Sequence, residues 1–334
     1  MRSATPKLLH PLCGRPMIEW PVAAAREAGA SKIVVVDGPE RPLGSTLDGE
    51  VTIAVQEVPR GTADAVKAAA EHIDPSAPVI VLNGDHPLIS ADVLRGLAET
   101  HEREGAAATI ATATLDDPTG YGRVIRGKDG TVSHIVEHRD ALDHELAVDE
   151  INTSVYCFRR DLLGPALRRL LPDNSQGEYY LTDVVTVLTS AGYSVGASVM
   201  PDPVEAQGVN DRAQLAFAEA ELRGRTNRRW LLAGVTMLDP AQTYVDVTVD
   251  LGRDVTLFPG TILQGRTVVA AGSEIGPDTR LVDCVVGPGA VVEHTVAHDA
   301  EIGEGARVGP YAVLPPGSLV PAWTVTGPFY TGPT

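Results

Sequence analysis

The sequence predicts an α/β domain with a mostly parallel sheet, then a helical arm, then a short parallel β-helix. Three observations carry this. Short, wholly apolar runs alternate with helix-length segments over the first two-thirds of the chain. One long, polar, arginine-rich stretch follows. After Pro240 the helical pattern stops, and aliphatic residues and glycines recur with a period of six.

Met17 to Ala28 reads as a helix, with Gly29 as its stop. Ile33 to Val36 is a short buried strand, and Val51 to Val55 another. Thr62 is placed to cap a helix that runs through an alanine-rich stretch to Ile73, before Asp74-Pro75. Val79 to Leu82 is a further apolar run. Ser90 caps a helix that reaches about Arg103 and ends at Gly105. Short apolar strands alternating with helices of this length indicate parallel β-α-β units. From Arg123 the pattern changes. Val124-Ile125, a turn at Lys128-Asp129-Gly130 and Val132 to Val136 predict a hairpin inserted in the sheet. Ile151 to Phe158 is a strand and Asp161 to Leu171 a helix.

Asn210 to about Trp230 reads as one long polar helix, a connecting arm. Beyond it Val296, Ile302, Val308, Leu314 and Val320 are aliphatic and spaced six apart. The register slips between Leu281 and Val286. In a β-helix each hexad is one short strand plus a turn, with one aliphatic pointing inward. Val245 to Val320 has room for roughly four coils of about eighteen residues. A small Gly/Val-rich β-sandwich is the alternative, but a fixed period of six is hard to obtain in one.

Composition narrows the function. The chain has 334 residues, enough for two or three domains. It has 27 Lys+Arg against 44 Asp+Glu, a formal charge of −17. Binding of duplex nucleic acid through phosphates needs clustered Lys and Arg, so a chain this acidic is a poor candidate for it. It is a poor candidate for an anionic membrane surface for the same reason. No apolar run is long enough for a membrane-spanning helix, and Met1 to Met17 contains no apolar signal core. Cys13, Cys157 and Cys284 form no disulfide framework and no C-x-x-C metal pair, which suits a reduced, cytoplasmic setting.

Ligands of open α/β sheets bind outside the carboxyl ends of the strands. Asn83-Gly84-Asp85-His86-Pro87 follows one strand directly. An aspartate there serves as a hard-metal ligand or as a helix cap. His86 reads as a surface or loop residue. Gln56 ends another strand, and Gly61-Thr62 opens the next helix, where an anion or a base edge could be bound. Taken alone, Gly-Thr is a cap and Lys7 a solvated charge.

In combination these pieces are more specific. Pro6-Lys7-Leu8-Leu9, Gln56 with Gly61-Thr62, Leu82-Asn83-Gly84-Asp85, Thr119-Gly120-Tyr121-Gly122-Arg123, Ile135-Val136-Glu137-His138, Glu150-Ile151-Asn152-Thr153, Glu178-Tyr179-Tyr180-Leu181-Thr182-Asp183 and Gly208-Val209-Asn210 occur in this order. A hexapeptide region follows them. This order resembles the bacterial family of bifunctional N-acetylglucosamine-1-phosphate uridylyltransferase/glucosamine-1-phosphate acetyltransferases, over about residues 1 to 315. The resemblance implies a Rossmann-like nucleotidyltransferase domain, and a left-handed form for the β-helix. It places the nucleotidyltransferase domain at 1–212, a linker helix at 213–238, the β-helix at 239–320 and an irregular tail at 321–334. It implies UTP and N-acetylglucosamine 1-phosphate as substrates, Mg²⁺ as cofactor, cytoplasmic synthesis of a peptidoglycan precursor, and a homotrimer formed through the β-helix.

The resemblance also implies roles. Asp85 and Asn210 match the Mg²⁺ ligands, and Lys7 the lysine that contacts the nucleotide phosphates. Lys7 and Asp85 are the expected catalytic pair. Gln56, Gly61 and Thr62 match the uracil-reading loop. Gly122, Glu137, Asn152, Tyr180 and Thr182 match the sugar pocket. One carboxylate and one amide suit Mg²⁺, which completes its shell with phosphate and water.

Departures from the family pattern set further expectations. Family members open with a hydrophobic strand and an L-x-A-G-x-G-T-R-M loop, and Met1-Arg2-Ser3 corresponds to positions past it. A start upstream of Met1 is therefore expected. For a chain beginning at Met1, uridylyl transfer is expected to fall by several orders of magnitude. Pro315-Pro316-Gly317 stands where the family carries an Arg-Pro-Gly turn, and no residues match its acetyl-CoA site, so no acetyltransferase activity is expected. Ala63 replaces a common glycine and Asn83 a frequent tyrosine, which softens base and sugar specificity. The alternatives are another hexose-1-phosphate nucleotidyltransferase, or a non-catalytic β-helix scaffold.

Overall fold

The computed structural model describes residues 1–47, 49, 51–74 and 76–332. Its contacts divide it into two units: Met1–His10 with Pro16–Asp211, and Pro11–Arg15 with the chain from Arg212 onward. Among the described residues no helix is long and apolar enough to cross a membrane. The three cysteines are free and buried.

In chain order come β1 (Pro11–Leu12), β2 (Arg15–Pro16), α1 (Glu19–Glu27), β3 (Val34–Asp37), β4 (Thr52–Val55), α2 (Thr62–Ala69), β5 (Val79–Val81), α3 (Ala91–Glu104) and β6 (Ala108–Thr114). Then follow β7 (Arg123–Arg126), β8 (Val132–Val136), α4 (Asp143–Leu146), β9 (Glu150–Phe158), α5 (Arg160–Leu167), α6 (Asp183–Ser190) and β10 (Val195–Val199). The main sheet of the first unit runs β10-β6-β9-β7-β8, with β5 also paired to β9. β10 lies parallel to β6, and β3 parallel to β4. The β7–β8 hairpin is antiparallel, around the turn that its sequence predicts. β9 runs antiparallel to both β5 and β6. β3 and β5 therefore lie in separate sheets among the described residues.

Local chemistry explains most of these elements. The Ser90 hydroxyl accepts from the Val93 N–H and so caps α3, and Gly105 closes it in the left-handed conformation. Thr62 differs from expectation. The N-cap of α2 is Gly61, without a side-chain cap bond, and α2 stops at Ala69 with a short 3₁₀ turn after it. The Thr62 hydroxyl instead accepts from the Leu181 N–H at 3.0 Å. β6, α6 and β10 carry no clear sequence signal. β6 reads Ala-Thr-Ile-Ala-Thr-Ala-Thr, yet Ala108 to Ala113 are all buried. Its neighbours cover it on both faces, with Leu94 and Leu97 of α3 in the core. Small residues there allow close packing but make no apolar run.

The second unit is a left-handed parallel β-helix with one long helix, α7 (Arg212–Leu232). α7 is polar, as expected, and buries only Ala218, Leu222, Thr226 and Asn227. The Asn227 amide donates to the Pro240 and Thr243 carbonyls, both at 2.9 Å. Pro11–Arg15 joins this unit because the Cys13 N–H donates to a Glu219 carboxylate oxygen at 2.7 Å and the Cys13 carbonyl accepts from Val247.

Three five-stranded parallel sheets form the faces of the β-helix. One stacks Thr236–Met237, Thr256–Leu257, Glu274–Ile275, Val291–Val292 and Arg307–Val308. Leu257, Leu263, Val269, Ile275 and Leu281 point inward at steps of six and are buried. The step falls to five at Leu281–Val286, Val292–Ala297 and Ala297–Ile302. Asp283, His294 and Asp299, each with positive φ, turn those shorter corners. The slip changes one assignment. Val296, expected inward, is 53% exposed, and Ala297 takes the core position at 1%.

The expected irregular tail also keeps part of the ladder. Val325 bridges Arg307 and Thr331 bridges Val313, both in parallel. The hexad residues are lost there while the backbone pairing persists. Positions 333 and 334 of that tail lie outside the described residues.

Candidate active site

β5 ends in the turn Asn83-Gly84-Asp85, closed by the His86 N–H donating to the Asn83 carbonyl. Gly84 is needed for close approach: a Cβ there would lie 2.7 Å from Ile18 Cδ1 and 3.1 Å from Leu8 Cδ1. Asp85 is thereby held against the segment that carries Lys7. The Lys7 ammonium donates to Asp85 Oδ2 and, at 2.7 Å, to Asn210 Oδ1. The Asp85 carbonyl accepts from the Val209 N–H at 2.9 Å, which fixes Asn210 beside it. The three residues taken from separate motifs thus meet at one strand end.

The second carboxylate oxygen, Asp85 Oδ1, is buried without a hydrogen-bond partner. Its neighbour is His86 Nε2 at 3.7 Å. His86 lies in a loop, as one of its two expected placements has it, but is buried under the turn and not on the surface. Burial pulls its pKa down, favouring the neutral ring. A buried, unsatisfied carboxylate oxygen next to an amide oxygen fits a hard cation. Among the described residues no group of three or more His, Cys, Asp or Glu side chains is placed to hold a metal ion, so an ion at Asp85 would take few protein ligands. Mg²⁺ at a phosphate site tolerates that.

The loop before α2 is laced to the segment Tyr179–Leu181. The Tyr179 N–H donates to the Arg60 carbonyl at 2.8 Å, and the Ala63 N–H to the Tyr179 carbonyl at 3.0 Å. Gly61 has φ 120°, and a Cβ on it would meet the Tyr179 carbonyl oxygen at 2.5 Å. Gln56 turns its amide to the Gly61 carbonyl (3.2 Å) and to Asp64 (3.0 Å).

A cleft of about 270 Å³ opens beside these elements. Thr62, Asn83, Glu137, Tyr180 and Thr182 line it, with His138, Arg139, Ser154 and Tyr156. Burial raises the Glu137 pKa; a hydrogen bond from Thr182 opposes this, while Asp183 and Asp140 add to it. Asp183 is likewise raised by burial and by Asp140.

Most of the expected site residues are gathered. Lys7, Asp85 and Asn210 form one cluster, and Thr62, Glu137, Tyr180 and Thr182 form the cleft wall. Asn83 lines the cleft two residues before Asp85, so the two groups adjoin. Gly122 stands behind Glu137, where a Cβ would lie 3.4 Å from Oε2. Gln56 and Asn152 do not line the cleft. Gln56 is engaged by Gly61 and Asp64 and is not on the cleft wall. Asn152 is buried one layer behind the wall, its amide donating to the Tyr156 hydroxyl at 2.8 Å. Ser154 and Tyr156, which the motifs did not single out, stand in front of it. Their proximity to Asn152 in β9 is the signal that could have found them.

An ammonium and a cation-ready carboxylate beside a hydroxyl-rich cleft suit the joining of two anionic substrates, the task of a nucleotidyl transferase. Residues 2–204 match the family described as Nucleotidyl transferase. The chain is also similar to curated proteins named bifunctional protein GlmU. That of Streptomyces avermitilis is 46% identical over 336 residues, covering 98% of this chain and 70% of that protein. That of Kineococcus radiotolerans is 48% identical over 337 residues, covering 98% and 68%. That of Caldanaerobacter subterraneus is 43% identical over 321 residues, covering 96% and 70%. The chain belongs to the nucleotidyl transferase family and, within it, to the family of the bifunctional protein GlmU.

Proposed function

We propose that the chain transfers a uridylyl group from UTP to N-acetylglucosamine 1-phosphate, giving UDP-N-acetylglucosamine and pyrophosphate. The observation that carries this is the meeting of Lys7, Asp85 and Asn210 next to the Asn83 side of the Glu137–Thr182 cleft. The sugar phosphate oxygen attacks the α-phosphorus of UTP, and the bond to the bridging oxygen of the leaving pyrophosphate breaks. No protein nucleophile is required, so the residues position and neutralise. The Lys7 ammonium, released from Asp85, offers its protons to the phosphate oxygens. Gly61 and Thr62 hold the uracil end through the lacing to Tyr179 and Leu181, with Gln56 fixing the loop from behind. Glu137, Tyr180 and Thr182 present groups to the sugar hydroxyls, Gly122 leaves room, and Asn152 stiffens the wall. Asp85 and Asn210 would hold Mg²⁺, which supplies further neutralisation of the phosphates when bound.

In this reading residues 1–212 carry the chemistry, 213–238 link and 239–320 assemble the protein, in the cytoplasm. Exposed Val268, Val285 and Leu319 on one β-helix face support a homotrimer. Acetyl transfer is left out of the proposed activity, because Pro315-Pro316-Gly317 lacks the arginine that the family turn carries. The test is pyrophosphate release with N-acetylglucosamine 1-phosphate and UTP, dTTP, ATP or GTP, and UTP calorimetry with Mg²⁺. Turnover with UTP above the others supports the reading. Turnover with another nucleotide or hexose overturns it in favour of a different nucleotidyltransferase. Absence of UTP binding overturns it in favour of a scaffold. Thiol release from acetyl-CoA with glucosamine 1-phosphate would overturn the exclusion.

A further inference from the structure

We propose that Ser154 is a specificity-determining residue of the cleft, donating a hydrogen bond to an acceptor oxygen on the sugar of the sugar phosphate. The inference rests on the reading of the cleft as the sugar site and deepens it.

The starting point is a local irregularity. Along the β6–β9 ladder Ile110 faces Tyr156 and Thr112 faces Asn152. Two steps on β6 therefore match four on β9, and Thr153 to Val155 bulge opposite Ala111. The bulge is fastened by the Thr153 hydroxyl, which donates to the Ala111 carbonyl at 2.7 Å. At its apex Ser154 has φ 59°, a left-handed conformation that serine adopts rarely and glycine freely. Bulges re-aim side chains, and backbone strain of this kind gathers at functional sites. Here the re-aimed side chain lines the cleft together with Glu137, Tyr180 and Thr182.

Asn152 fixes the residues around the hydroxyl. The Asn152 carbonyl oxygen accepts from the Ser154 N–H at 3.1 Å, and the Asn152 amide donates to the Tyr156 hydroxyl at 2.8 Å. An amide N–H can only donate, so the phenol oxygen accepts from Asn152. The Ser154 hydroxyl lines the cleft, where it can donate to an acceptor oxygen of a ligand. Glu137 across the site presents acceptor oxygens when ionised, so the two residues offer opposite hydrogen-bonding roles. A sugar substituent with both a donor and an acceptor, such as an amide, satisfies both. Without the hydroxyl, a glycine here would relieve the backbone and leave the acceptor unmet.

The test compares Ser154→Gly and Ser154→Ala with the wild type in the full chain. Melting temperature is measured, calorimetry is run with UDP-N-acetylglucosamine and separately with UTP, and KM and kcat are determined for N-acetylglucosamine 1-phosphate. Both variants are expected to weaken the sugar nucleotide about tenfold, the scale of one lost hydrogen bond in a polar site. UTP affinity and kcat stay unchanged, while KM for the sugar phosphate rises. Ser154→Gly is expected to melt higher than the wild type while binding the sugar nucleotide more weakly, a split that a purely structural role does not produce. Sugar-nucleotide affinity within twofold of the wild type in both variants overturns the proposal alone. So does a Ser154→Gly variant that loses stability and affinity together. A wild type that binds UTP but not the sugar nucleotide overturns the reading of the cleft, and this inference with it.

Discussion

Lys7 Nζ and Asn210 Oδ1 lie 2.7 Å apart, although 203 positions separate the two residues in the chain. The same ammonium meets Asp85, so one cation occupies the place between the carboxylate and the amide proposed for a metal ion. In the proposed reaction Lys7 has two opposed tasks: it neutralises Asp85 in the free protein and must leave it to reach a nucleotide. Lys7→Met removes both. Turnover is expected to fall by about 10²–10³-fold, the scale of one lost charge-stabilising donor. Binding of Mn²⁺ alone is expected to tighten, because the competing ammonium is gone. Paramagnetic titration of Mn²⁺ checks this, and unchanged or weaker Mn²⁺ binding overturns the competition.

Glu137 makes stability depend on pH. Burial raises its pKa in the folded protein, so between the usual carboxylate range and that raised value the folded state holds a proton that the unfolded state has lost. Stability from this group therefore increases as pH falls across that window, and decreases as pH rises through the folded pKa. Asp183, also raised, adds in the same sense. Glu137→Gln is expected to melt higher than the wild type at neutral pH and to show a flatter melting profile towards acid. It is also expected to raise KM for the sugar phosphate. A profile parallel to that of the wild type refutes the assignment.

The sequence makes legible those parts of the molecule whose physics is local. Ser90 and Gly105 mark the ends of α3 by themselves, and the hexads name most inward positions of the β-helix. What escapes is set by partners distant in sequence. β6 is buried because α3, β9 and β10 cover it, and its Ala-Thr composition signals nothing alone. Asn152 sits behind the cleft wall because a bulge opposite Ala111 swings Ser154 in front of it. In the site, the identities of Lys7, Asp85 and Asn210 were readable from motifs. Their mutual hydrogen bonds were not, since these depend on the packing of Gly84 against Leu8 and Ile18.

The one-residue slip in the β-helix gives a stability test. Val296 is half exposed and Ala297 fully buried between five-residue steps. Val296→Thr is expected to change stability by less than about 0.5 kcal/mol, as a surface substitution. Ala297→Leu forces extra methylenes into a filled coil and is expected to destabilise by about 1–3 kcal/mol. Denaturant unfolding of the two variants checks the order. A uniform hexad would reverse it, with Val296→Thr the damaging change.

Gly61 offers the sharpest probe of the loop proposed to hold the nucleotide. Its φ of 120° is open to glycine alone among common residues, and a Cβ would press on the Tyr179 backbone at 2.5–3.0 Å. Gly61→Ala cannot relieve this by a rotamer change, since the atoms it meets are main-chain. The loop must move away from Tyr179, breaking the bonds from Tyr179 to Arg60 and from Ala63 to Tyr179. Thr62 then loses its grip on the Leu181 N–H, and the side of the cleft proposed for uracil opens. UTP affinity is expected to fall at least about tenfold, with two or more hydrogen bonds disturbed. The effect on stability is smaller in scope, because the loop lies at the start of α2 rather than in the core around β6. Calorimetry with UTP, alongside a melting curve, separates the two. A Gly61→Ala chain that binds UTP like the wild type would remove this loop from the nucleotide site.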